Sequence, residues 1–219
     1  MQKLNSMLDK FTKKISGGVY GLLSITFGII GDLLAYLMYP GYDFLRMPVS
    51  SLCDGRGGLF FQIGTVFSGI WALFFLIYIS QTFDGKKNSE NLTKVAVYFA
   101  LISCISFIGL GAFCGSNPTI ALIHGICTII SWLSGICYLT LFSILMLRDS
   151  KYSKFLVYVG FSAAISLSTM VIMFFLYYFP GLQNLIIILP LWEWIDTFVL
   201  IIWYFVVSLY LLIKKIKLY

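Results

Sequence analysis

Six stretches of this chain meet or approach the 20 or so apolar residues that a helix needs to cross roughly 30 Å of hydrocarbon. They fall near residues 18–39, 58–80, 95–113, 119–147, 155–179 and 190–213. Backbone surrounded by lipid must satisfy its own hydrogen bonds, so stretches of this kind have to be helical. The pattern predicts an all-α, polytopic integral membrane protein. A bundle of six transmembrane helices over residues 18–213 is flanked by a basic N-terminal arm (1–17) and a basic tail (214–219). Composition points the same way: 60% of the 219 residues are hydrophobic, 11% are charged, and mean hydropathy is +0.94. No soluble core of this length could hide that much apolar surface from water.

Charge then orients the bundle. Of fifteen Lys and Arg, thirteen fall in segments that six antiparallel spans bring to one side, leaving Arg46 and Arg56 on the other. The bias of Lys and Arg toward the cytoplasm predicts a plasma-membrane protein with both termini inside. The start, with Lys3, Lys10, Lys13 and Lys14, resembles a signal-peptide n-region, but the apolar run after it is too long and is expected to stay as the first span. A net charge of +6 is accounted for by orientation and anionic headgroups, so membrane lipids are the expected partners and nucleic acid is not. Oligomeric state is not legible.

Eight ionisable residues are unexplained by topology, and all map to the outer half: Asp32, Asp43, Arg46, Asp54, Arg56, His124, Glu193 and Asp196. Asp32 lies eight residues before Pro40, about 12 Å inward from that helix end. Glu193 and Asp196, three apart, share a helical face. A carboxylate at such depth is costly and faces a bundle interior or wet cavity with a partner. Arg46, Arg56 and His124 are the cations available, so Asp32 either pairs with one of them or is protonated.

Several chemistries fit these residue types. His124 is either a donor to a backbone carbonyl or a general base, and Ser50 or Ser51 with His124 and Asp32, Glu193 or Asp196 has the types of a nucleophilic relay, without a nucleophile-elbow sequence. Arg46 and Arg56, beside Tyr39, Tyr42, Trp192 and Trp194, fit a phosphate-bearing lipid head. The alternative is local neutralisation by Asp43 and Asp54, with the aromatics as an interfacial belt. One histidine is few for a metal hydrolase, and Walker, HExxH and dinucleotide-binding glycine patterns are absent, so neither metal nor cofactor is expected. Cys53 and Cys114 both fall at the outer face, where they are either a disulfide or two unrelated thiols. Gly17/Gly21 and Ser131/Gly135 have the spacing of close helix crossings. Residues 180–190 either span or lie along the interface.

The outer-loop sequence GDLLAYLMYPGYDFLRMPVSSL resembles the opening motif of a family of six-helix prokaryotic membrane proteins known as domain of unknown function 998. GAFCGSNPTIALIHGI is similar to its Gly-Phe-Pro turn and following His, and PLWEWIDTFVLIIW to its late Glu-Arg segment. The resemblance spans about Gly31 to Trp203 and highlights Pro40, Gly41, Tyr42, Ser50, His124 and Glu193. The chain departs from the family pattern at Ser51, where Glu is common, at Cys114-Gly115 inside the turn, and at Trp194 in place of Arg. The first loop is also similar to the eukaryotic Frag1/DRAM/Sfk1 proteins, which implies a link to lipid handling. The expectation is a polar pocket near the outer leaflet that binds or processes a lipid headgroup or small polar ligand, lined by Asp32, Arg46, Ser50, His124, Glu193 and Asp196. A small-solute transporter and a structural or regulatory subunit are the alternatives.

Overall fold

The computed structural model describes residues 15–84, 89–177, 179, 181, 188–214 and 216. Six long helices carry the chain: α1 (Gly17–Leu37), α2 (Gly58–Thr82), α3 (Glu90–Ala112), α4 (Pro118–Arg148), α5 (Lys154–Tyr177) and α6 (Leu189–Lys214). Each is long and apolar enough to cross a membrane, and no strand occurs among the described residues. The chain is an all-helical integral membrane protein. Most of the arm 1–17, most of the tail 214–219 and most of the segment 180–190 lie outside the described residues.

Local chemistry sets the helix ends. Asn117 caps α4, its Oδ1 accepting from Thr119 N at 3.0 Å, with Pro118 at the first position, where its missing N–H costs nothing. Pro190 sits in the first turn of α6 and is tolerated for the same reason. At Gly41 the backbone takes φ 84°, a conformation that favours glycine, and the chain turns there. Helix α1 therefore ends at Leu37, which leaves Asp32 about 8 Å from the helix end rather than 12.

Consecutive helices run antiparallel, each packing mainly on its two sequence neighbours, and α6 returns to pack on α1. The result is a closed ring. Where helices must approach closely, small residues allow it: a Cβ on Gly31 would fall 2.7 Å from Gly64 Cα, so α1 and α2 touch backbone to backbone. The Ser24 hydroxyl donates to Ser68 O at 2.9 Å across that crossing. A matching pair joins α3 to α4, Ser103 to Ser131 O at 3.0 Å and Ser131 to Ser103 O at 3.2 Å. Gly21 is pressed on Ser208 and Phe75, and Gly135 on Leu167, so both small-residue pairs in the sequence sit at helix contacts.

The two ends of the ring differ. One holds Lys94, Arg148, Lys151, Lys154 and Lys214, and its interior is filled by Phe75, Leu139, Phe142, Trp203 and Val207, all fully buried. There Asp149 takes Lys151 Nζ at 2.9 Å, and Lys151 also donates to Thr82 O, tying the α4–α5 turn to the end of α2. At the opposite end lies the 38–57 loop, including a 3-10 turn at Val49–Asp54. Ala35, Val49, Leu52, Phe61, Cys114 and Trp194 form a second, smaller core beneath that loop.

Candidate functional site

Between the filled end and the loop lies an axial cavity of about 190 Å³, with walls supplied by all six helices and the 3-10 turn. It has three levels. Asp32, Ser50, His124, Glu193 and Asp196 lie at its loop-side end. Hydroxyls of Ser24, Thr65, Ser68, Ser103, Thr128 and Ser131 line the middle. Tyr138 and Tyr204 form the floor, their hydroxyls 3.4 Å apart. From His124 to Tyr138 is fourteen residues of one helix, so the cavity runs about 21 Å along the axis.

At the mouth each group is held differently. His124 places Nδ1 2.8 Å from Leu110 O, and since a carbonyl only accepts, that nitrogen carries a proton. Leu110 is in the last turn of α3, so the imidazole caps a carbonyl that has no partner within its helix. Glu193 Oε1 accepts from the Ser50 backbone N at 3.2 Å, which ties the loop to α6. Asp196 is only 4% exposed, and its Oδ1 has no hydrogen-bond partner. The buried Ser166 hydroxyl, on neighbouring α5, lies beside that carboxylate and interacts with it.

The loop is fixed by its own contacts. The Tyr42 hydroxyl donates toward the Met47 and Pro48 carbonyls at 3.0 and 2.8 Å and accepts from Trp194 Nε1 at 3.0 Å. Burial pushes the Tyr42 phenol up to about 12, so it remains a donor at neutral pH. Cys53 and Cys114 are joined as a disulfide, with Cα atoms 5.9 Å apart, and Gln62 Nε2 donates to Cys114 O at 2.9 Å. The loop is thus stapled to the α3–α4 connection.

Four of the eight ionisable residues singled out in the sequence, Asp32, His124, Glu193 and Asp196, therefore meet at the loop-side end of the cavity, together with Ser50. Arg46 and Arg56 do not line it. Arg46 is 85% exposed and pairs with Asp43 at 3.6 Å, while Arg56 is exposed with no ion pair to Asp54 among the described residues. Among the described residues no ion pair reaches Asp32 either, and neither arginine is beside it. Tyr42 serves the loop, lying outside the cavity wall. Tyr39, Tyr42 and Trp194 pack on the small core beneath the loop, where Trp194 Nε1 donates to the Tyr42 hydroxyl. Ser50, His124 and Asp32 share the cavity, but no hydrogen bond links them into a relay. Among the described residues no three His, Cys, Asp or Glu side chains converge as a metal ion requires.

Sequence reasoning missed the hydroxyl-lined shaft and its tyrosine floor. Its trace is the recurrence of Ser and Thr within spans, as at Thr128 and Ser131, which sequence alone assigns to packing as readily as to a cavity.

The match that places this fold and cavity among known proteins is to a family model described as "Protein of unknown function (DUF998)", covering residues 22–210. The chain belongs to this family. The matched region contains all six helices nearly whole and every residue of the cavity mouth. No curated protein and no solved structure matches the chain significantly.

Proposed function

We propose that this family member is a plasma-membrane binding protein whose axial cavity takes a small polar or amphiphilic ligand, such as a lipid headgroup, through the loop end. The observation that carries the reading is the cavity itself, with four ionisable side chains at its mouth and apolar or hydroxyl-bearing walls below. Ligand sites in membrane proteins place their few ionisable groups where a partner reaches them, because such groups are too costly to leave facing lipid. The aromatic packing of Phe75, Phe142 and Trp203 fills the other half of the ring, which favours a blind pocket over a conduction path.

The loop end faces outward in this reading. The lysines gathered at the opposite end favour the cytoplasm there, and the Cys53–Cys114 disulfide belongs on the side where thiols oxidise. The test is mass spectrometry of small molecules and lipids that co-purify with the chain, compared with a Thr128→Phe variant that fills the shaft. One species enriched with the wild type and lost from the folded variant supports a binding cavity. Identical profiles from both would reject it.

A further inference from the structure

We infer, building on the proposed binding cavity, that its ligand is an organic ammonium ion, either a small amine or the amine of a lipid headgroup. Among the described lining residues are three carboxylates and one imidazole but no Lys or Arg. Asp196 is buried with the Ser166 hydroxyl beside its carboxylate and Oδ1 short of a hydrogen bond, Asp32 has no ion pair among the described residues, and Glu193 has the backbone N–H and the hydroxyl of Ser50. Carboxylates withdrawn from water need donors or a counter-charge, and here the protein supplies few of either.

The sign of the missing partner follows. A phosphate or carboxylate head would add repulsion to three acids that already crowd one mouth. A divalent metal would need oxygens that converge, and no three do among the described residues. An ammonium group carries its charge with up to three N–H donors that diverge, which suits acceptors spread over α1 and α6. Below Asp196, Tyr204 lies eight residues further along α6, so about 12 Å of shaft remains for a short aliphatic body.

The experiment titrates the full chain, in nonionic detergent, with three probes of equal length: hexylamine, hexanol and hexanoate. Calorimetry is expected to give hexylamine a Kd at least tenfold below that of hexanol, with hexanoate weakest. Asp196→Asn should bring hexylamine to the affinity of hexanol and leave hexanol unchanged. Should that variant fail to fold, Asp32→Asn is expected to weaken hexylamine in the same selective way. Equal affinity for hexylamine and hexanol, abolished by Thr128→Phe, would overturn the ammonium while leaving the cavity reading intact. Failure of all three probes to bind would remove both, as strongest binding by hexanoate would remove the ammonium. In nanodiscs, a hexylamine Kd raised by adding phosphatidylethanolamine to phosphatidylglycerol assigns the site to a lipid amine. An unchanged Kd assigns it to a soluble amine, and either result upholds the inference.

Discussion

His124 has a structural duty at Nδ1, which explains what its loss should do. Nδ1–H satisfies the Leu110 carbonyl at the end of α3, so His124→Ala should cost about 1–2 kcal/mol of stability whatever the ligand. His124→Asn, able to donate from the same region, should recover part of it in thermal unfolding. Tyr42 makes a pH-dependent contribution. Its phenol titrates near 10 when unfolded and near 12 when buried, so the stability it adds is complete below pH 10 and falls as pH rises to 12. Wild type should therefore lose thermal stability over that window more steeply than Tyr42→Phe, and parallel curves would contradict the buried phenol.

Among helices, the crossing at Gly31 and Gly64 leaves no room for a side chain. Gly64→Val should destabilise the α1–α2 pair by about 1–3 kcal/mol, read as a lower unfolding temperature in detergent, whereas Gly28→Ala, whose Cβ would meet Ser68 Oγ at 3.4 Å, should be nearly neutral. The disulfide acts at the same scale. Its cysteines are 61 residues apart, and chain entropy sets a ceiling of about 4 kcal/mol, lowered because α2 and α3 remain helical in the unfolded membrane state. Reduction should lower the unfolding temperature and admit protease to the 43–57 loop. Helix number and type were legible in the sequence because span length is a local signal, whereas some ends were not: α1 stops at Leu37 instead of 39 and α3 starts at Glu90 instead of 95. The fate of Arg46 and Arg56 was not, since whether a loop arginine turns inward depends on the packing of Tyr42, Phe44 and Trp194 beneath it.

At the scale of the molecule, six antiparallel helices could have packed into a solid bundle. They form a ring instead, because each turns mainly to its sequence neighbours and α6 closes on α1. Large aromatics fill the lysine-bearing half, while Ser, Thr and Gly line the other, and that difference in side-chain volume leaves the cavity where it is. Residues 32, 124, 193 and 196 could be placed near one another from topology alone; that they share one cavity, with no arginine among its described lining, required the ring. The most direct measurement of this account is thiol labelling from each side of oriented proteoliposomes. The protein would carry Thr128→Cys, with Cys104, Cys127 and Cys137 replaced by alanine and Cys53–Cys114 kept. An impermeant methanethiosulfonate should modify residue 128 from the loop side alone, and ligand should slow it. Equal reaction from both faces, or none from either, would contradict a cavity that opens at the loop and ends at Tyr138 and Tyr204.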